Sequence, residues 1–220
     1  MINDVPPRTG FAIIANFYSG KEEKGRQSME NRARFIIPVD NEIELRILEE
    51  WDAPELFRLI DRHRAYLREW LPWVDYETSV EDSRSFVRRS LQYYLDNEGF
   101  TMGIRYQDQL VGVIGYHPVN WPNRKVEIGY WLGADVQGKG IVTRSCRAVV
   151  QYAFEKLLLN RVTILCATGN QRSRAIPERL GFREEGTLRE AEWLYDHFVD
   201  LVVYSMLARE WAGKTAVKQS

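Results

Sequence analysis

The chain has 220 residues, 45% of them hydrophobic, which is enough for one domain with a sizeable core. Lys plus Arg number 30 against 31 Asp plus Glu, for a formal net charge of −1, so the basic excess that marks a nucleic-acid binder is missing. Two cysteines (Cys146, Cys166) and three scattered histidines (His63, His117, His197) exclude a disulfide scaffold and offer no spacing for a zinc site.

Residues 1–34 are polar, charged and without period through "YSGKEEKGRQSMENR". They read as a flexible extension or a partner arm, with Met29 a second candidate start. There is no apolar core behind basic residues at the N-terminus and no run of ~20 apolar residues. A cytoplasmic protein with no membrane partner is expected.

The folded unit is placed at 35–212, with 213–220 as a C-terminal tail. Its first strand is "IELRI" from Ile43, which alternates apolar and polar residues. A helix follows, with Asp52 as its cap, Pro54 in the first turn and Glu55 three residues on. Ser79 and Asp82 open a second helix, and Val87, Leu91, Tyr94 and Leu95 carry its apolar spacing. "FTMGIRY", a turn at Gln107–Gln109 and "LVGVIGYH" read as a hairpin, and "VEIGYWL" as a third strand. After "DVQGKGIVTR" comes a helix with Val142, Cys146, Val149, Val150, Ala153, Phe154 and Leu157 on one face. "RVTILCAT" is a strand. "QRSRAIPERLGF" is a short helix broken near Pro177 and ended by Gly181. Two last strands meet at Tyr195–His197.

This order predicts an α/β (α+β) fold with a mixed, mostly antiparallel sheet of about seven strands and flanking helices, with one strand–helix–strand crossover at the glycine loop. Gly138 and Gly140 permit positive φ and close approach of the backbone to a ligand. The helix start behind them presents unpaired amides and the positive end of its dipole. Together these make an anion site; a tight strand-to-helix turn without ligand is the plain alternative. The loop lacks GxxxxGK[ST], and Thr143 stands where GxGxxG needs its third glycine.

The blocks "EIGYWLGADVQGKGIVTRSCR" and "GNQRSRAIPERLGFREEGTLRE" resemble the GCN5-related N-acetyltransferases (GNAT), and within them the RimJ/RimL group and its YdaF-like bacterial members. The resemblance covers roughly Glu42 to Glu210. It implies the acyl-CoA N-acyltransferase fold, acetyl-CoA as cosubstrate, and a primary amine as acceptor. The family's [QR]-x-x-G-x-[GA] signature falls on Gln137, Gly138, Lys139, Gly140, Ile141 and Val142. Val142 replaces the usual Gly or Ala, which puts a branched Cβ near the pyrophosphate. Thr143 adds an amide and a hydroxyl. The resemblance further implies that "VEIGYWL", with Trp131 and Leu132, splays from "RVTILCAT" to admit pantetheine. It gives the oxyanion a backbone amide near Leu132, and it gives Asn170 and Ser173 of "NQRS" contacts to the cofactor arm.

Acyl transfer from a thioester to an amine needs a neutral amine, a stabilised oxyanion and a proton for the leaving sulfur. By the resemblance Glu192, nineteen residues after Ser173, is the first choice for the base; a solvated strand carboxylate is the alternative. Glu127 is the rival base, or a structural carboxylate with a cationic neighbour. Ser173 is the proton donor to the thiolate, a helix N-terminal cap or first-turn residue, or both at once. Many members use a tyrosine a few residues later in that helix, where this chain has Ile176 and Pro177. Cys166 reads as a small buried hydrophobe before it reads as a nucleophile. His117 and His197 read as surface or turn residues. Trp70, Trp73 and Tyr76 either shape the amine pocket or pack between helices.

The resemblance favours an acetyltransferase acting on the α-amine of a protein or peptide. An enzyme for a small amine (polyamine, aminoglycoside) and a catalytically weak CoA-binding module stay open. A homodimer would pair "FVDLVVYSML" of two copies across a sheet edge.

Overall fold

The structure, a computed structural model, describes residues 35–216, with side chains described as far as residue 213. The expected flexible extension 1–34, including Met29, lies outside the described residues, as do 217–220. The strands are β1 (Ile36–Pro38), β2 (Ile43–Ile47), β3 (Thr101–Tyr106), β4 (Gln109–Tyr116), β5 (Lys125–Leu132), β6 (Arg161–Ala167), β7 (Arg183–Leu194) and β8 (His197–Leu207). They form one sheet in the order β1-β2-β3-β4-β5-β6-β8-β7. The helices are α1 (Ala53–Arg62), α2 (Arg64–Arg68), α3 (Val80–Leu95), α4 (Ile141–Glu155), α5 (Gln171–Leu180) and α6 (Ala208–Ala216).

The described sheet has eight strands rather than about seven. The extra one is β1, which is too short for a period to show and exists through its pairing with β2. The expected tail is also corrected at its start. Helix α6 runs through it to Ala216, with Trp211 buried and its ring 6.2 Å from Phe154.

Alternation sets the strands. Ile43, Leu45 and Ile47 point inward from β2, and Val162, Ile164 and Cys166 from β6. Leu56, Leu59 and Ile60 of α1 pack with Leu67, Val74, Val87, Leu110 and Val113 in one core cluster. Helix α4 buries Cys146, Val149, Val150 and Ala153, and the Tyr116 hydroxyl donates to the carbonyl of Val149 at 2.5 Å.

Two local expectations change. Asp52 does not cap α1 with its side chain. It accepts from the Glu49 amide at 2.9 Å and pairs with buried Arg105 at 2.8 Å; that cation also takes Glu55 at 3.1 Å. Nor does Pro177 break its helix, for α5 continues to Leu180 with the proline inside. The missing amide is compensated from another strand, as described below.

The junction of β5 and β6 positions the site. These strands are parallel, yet they pair only at Lys125–Glu127 with Arg161–Thr163. Beyond Glu127 they separate, so the splay implied by the resemblance is present. Strand β8 lies between β6 and β7. It is not an edge, so the expected dimer contact through "FVDLVVYSML" has no free strand edge to use.

Candidate active site

The glycine loop bridges β5 and α4. Gly138 (φ +77°) and Gly140 (φ +70°) both lie in the left-handed region that favours glycine. A Cβ at either would meet nothing within 4 Å. The requirement is thus for conformation and for open space above the loop, which suits the close approach of a phosphate to backbone amides at the start of α4. A cleft of about 800 Å³ opens there. It gathers the predicted Trp131, Leu132, Gln137, Gly138, Gly140, Ile141, Val142, Thr143, Asn170 and Ser173.

Lys139 is the exception. Its ammonium sits 5.1 Å from the Tyr106 ring centroid, and it does not line the cleft. Val142 touches the cleft but is only 8% exposed, so most of its side chain fills core rather than crowding the loop. Two cations missed in the sequence stand at the cleft, Arg172 and Arg179 of α5. With Ile176 they share one helix face, a spacing of four and seven that was available to be read. Arg172 Nη1 donates to Gln137 Oε1 at 2.9 Å across the cleft mouth. Arg144 also lines it, committed to Asp40 at 2.8 Å and Glu42 at 2.9 Å.

The ladder with β4 tells which way the β5 backbone points. The His117 amide bonds the Glu127 carbonyl at 2.9 Å, and the Gly133 amide bonds the Val111 carbonyl at 2.8 Å. Odd-numbered residues of β5 therefore bond β4, and the amides and carbonyls of Ile128, Tyr130 and Leu132 face the other way. That side is the splay. The Leu132 amide accordingly faces the gap.

Ser173 lies at the centre of a hydrogen-bonded cluster. Ser173 is a first-turn residue of α5 and Asn170 is the cap: its Oδ1 accepts from the Ser173 amide at 3.0 Å. The Ser173 Oγ is 3.2 Å from Cys166 Sγ and 3.4 Å from the Tyr130 hydroxyl. Burial pushes the Cys166 thiol up, so it stays protonated, in keeping with the small-hydrophobe reading. Tyr130 escaped notice because "VEIGYWL" reads as an unbroken strand. Although Ile176 and Pro177 supply no phenol from α5, β5 supplies one.

A second cleft of about 780 Å³ shares Trp70, Leu71, Tyr130, Trp131, Asn170 and Ser173 with the first. Glu127, Glu192 and His117 meet in it. Burial raises the Glu192 carboxyl, and the charge of Glu127 raises it further, against a lowering by His117. Glu127 is likewise raised by burial and lowered by His117, whose Nε2 lies 3.8 Å from Glu127 Oε1. His117 is therefore exposed, as expected, yet part of the site. His197 stays at the hairpin turn with Asp196, 2.7 Å away. Trp70, Trp73 and Tyr76 all line this cleft. Trp73 also packs on the core and stands 6.0 Å from Trp131, ring to ring, whereas Tyr76 is exposed. The tip of the β7–β8 hairpin closes over: the Tyr195 hydroxyl donates to the Leu71 carbonyl at 2.6 Å, beneath Arg68 at 3.8 Å.

A glycine loop before a helix, a splayed strand pair and a carboxylate-lined pocket opposite fit an acyl-CoA-dependent transferase. The chain belongs to the GNAT family: the acetyltransferase (GNAT) domain model matches residues 42–183. It is 41% identical, over 82% of its length and 99% of the relative's, to YdaF of Bacillus subtilis (strain 168), named provisionally as a ribosomal N-acetyltransferase. RimL, the ribosomal L7/L12 alpha-N-protein acetyltransferase, solved with coenzyme A, superposes with a TM-score of 0.77 at 30% identity, covering 80% of this chain and 99% of that one. The microcin C7 self-immunity acetyltransferase MccE, solved with acetyl-CoA and AMP, gives 0.75 at 31% identity, covering 77% and 94%. The chain is an acetyl-CoA-dependent N-acetyltransferase. Among the described residues, no helix is long and apolar enough to cross a membrane.

Proposed function

We propose that the acceptor is the α-amino group of a protein or peptide, of the ribosomal-protein type, with Glu192 as base and Ser173 as acid. The observation that carries this reading is the meeting of Glu192 and Ser173 in one cleft that is continuous with the glycine-loop cleft. An α-amine has a pKa of ~7.7–8, against ~10.4 for lysine. The former is therefore partly neutral near neutral pH, its ammonium proton lost to water, and a carboxylate with a raised pKa is free to take the one remaining proton during transfer.

Glu192 takes one proton from the amine nitrogen as the C–N bond forms. The Leu132 amide receives the charge on the carbonyl oxygen. The C–S bond breaks with its electron pair on sulfur, and sulfur takes the Ser173 Oγ proton. Return of the proton from Glu192 to Ser173 through water restores both groups. The chemistry draws on acetyl-CoA of the cytoplasm, which is where we place the protein. Glu127 is the alternative base.

A small cationic acceptor is the second reading. Glu77, Asp82, Glu127 and Glu192 line the acceptor cleft against Arg89 and His117, a balance that suits a polyamine. A homodimer through a sheet edge would use β7, exposed along most of its length with Leu188 and Trp193 outward; light scattering reads the mass directly. The acceptor test is steady-state kinetics on a free-amine peptide, the same peptide blocked at its N-terminus but carrying lysine, and spermidine. A kcat/KM at least tenfold higher for the free α-amine supports the proposal. Preference for spermidine transfers it to the second reading.

A further inference from the structure

Pro177 sits inside α5 without an amide hydrogen. The carbonyl four residues earlier, that of Ser173, therefore lacks its helical donor. The Tyr130 hydroxyl fills this gap from β5, donating to the Ser173 carbonyl at 3.1 Å. A phenol carries one proton, so with that proton spent, the tyrosine oxygen meets Ser173 Oγ as an acceptor, 3.4 Å away.

We propose that Tyr130 is a positioning residue for acyl transfer: it takes the carbonyl that Pro177 leaves open, fixes the first turn of α5, and makes the Ser173 proton the one presented in the cleft. This rests on the reading of Ser173 as the acid. Three groups then hold the serine. Asn170 Oδ1 accepts from its amide at 3.0 Å, Tyr130 donates to its carbonyl, and Cys166 Sγ flanks its hydroxyl at 3.2 Å. Burial holds the Tyr130 hydroxyl well above its ordinary pKa, so the phenol keeps its proton at working pH. The contact from Ser173 to Tyr130 is long and weak. The serine proton is thus free to turn to a departing sulfur while the tyrosine stays locked on the carbonyl.

Sequence and function are coupled here in an unusual way: the proline creates the need that the tyrosine meets. Returning an amide at position 177 should remove the need. The test is kcat and both KM values for Tyr130→Phe, Pro177→Ala, Ser173→Ala and the double variants, with the acetyl acceptor that proves active. Tyr130→Phe is expected to lower kcat about tenfold, the scale of one buried hydrogen bond, with the acetyl-CoA KM within about twofold. Pro177→Ala/Tyr130→Phe should recover most of that loss, and Tyr130→Phe should add less than about twofold to Ser173→Ala. If Tyr130→Phe does not fold, Pro177→Ala and its double with Tyr130→Phe are compared, and equal rates are expected.

A Tyr130→Phe loss that persists in both backgrounds would overturn the inference and make the phenol a proton donor in its own right. A wild-type rate for Tyr130→Phe also overturns it. If Ser173→Ala works at the wild-type rate, the acid assignment fails first and takes the positioning role with it. A slow Ser173→Ala without rescue by Pro177→Ala leaves that assignment standing and removes only the role of Tyr130.

Discussion

Glu127 on β5 and Glu192 on β7 share one pocket, and the charge of Glu127 helps hold the Glu192 carboxyl above its ordinary range, while His117 pulls it back. The base must be ionised to work, so activity should rise with pH through the raised Glu192 value. Glu127→Gln should move that acid limb of the kcat/KM profile to lower pH, and His117→Gln should move it to higher pH. Glu192→Gln should remove the limb and cost about 10²-fold in kcat. If Glu127→Gln carries that loss and Glu192→Gln does not, the base is Glu127.

The same carboxyl opposes stability. A group whose pKa rises on folding binds its proton more tightly in the folded chain. Its contribution is favourable at low pH and is lost as pH climbs from the ordinary carboxylate value through the raised one. Glu192→Gln should therefore hold or raise the melting temperature at pH 8 while it destroys activity. A clear fall in Tm at that pH would contradict the burial argument.

Gly138→Ala and Gly140→Ala test the loop. Positive φ at both positions sets a strain of about 1–2 kcal/mol for alanine. The surrounding space is empty, so the fold should survive. Acetyl-CoA affinity, read by calorimetry, should fall about tenfold or more because the methyl group occupies the phosphate approach. The acceptor KM should not change.

The Tyr195 clasp should matter to the acceptor and not to the cosubstrate. Tyr195→Phe removes the bond to the Leu71 carbonyl at the hairpin tip. A roughly fivefold rise in the acceptor KM is expected from one lost hydrogen bond, with the acetyl-CoA KM unchanged. Equal effects on both KM values would place the hairpin tip outside acceptor binding.

Arg105 is structural. It joins Asp52 and Glu55, with Asp52 only 6% exposed. Arg105→Met strands a buried carboxylate and should cost about 3–5 kcal/mol in denaturant titration. The folded fraction should keep its kcat, since none of the three lines either cleft.

Period and spacing made much of this legible. Ile43, Leu45 and Ile47 announced β2, the face from Val142 to Phe154 announced α4, and the glycines announced the anion loop. The resemblance brought Ser173, Glu127 and Glu192 to one place, where the structure also puts them. What stayed hidden depends on contacts between distant segments. β1 exists only by pairing, and Asp52 is drawn from its helix by an arginine 53 residues away. Pro177 stays inside its helix, and a tyrosine from β5 donates to the carbonyl left open. Lys139 turned to Tyr106, which no local pattern encodes, and the interior place of β8 is a matter of sheet order.

Direct transfer to an α-amine is the central claim, and intact mass spectrometry of both partners tests it most directly. The protein is incubated with acetyl-CoA alone and then with a peptide bearing a free N-terminus and an internal lysine. The account predicts one acetyl group on the first nitrogen of the peptide and none on the protein in either mixture. Acetyl held on the protein before the peptide is added, at Cys166 above all, or acetyl found only on the lysine, would contradict it.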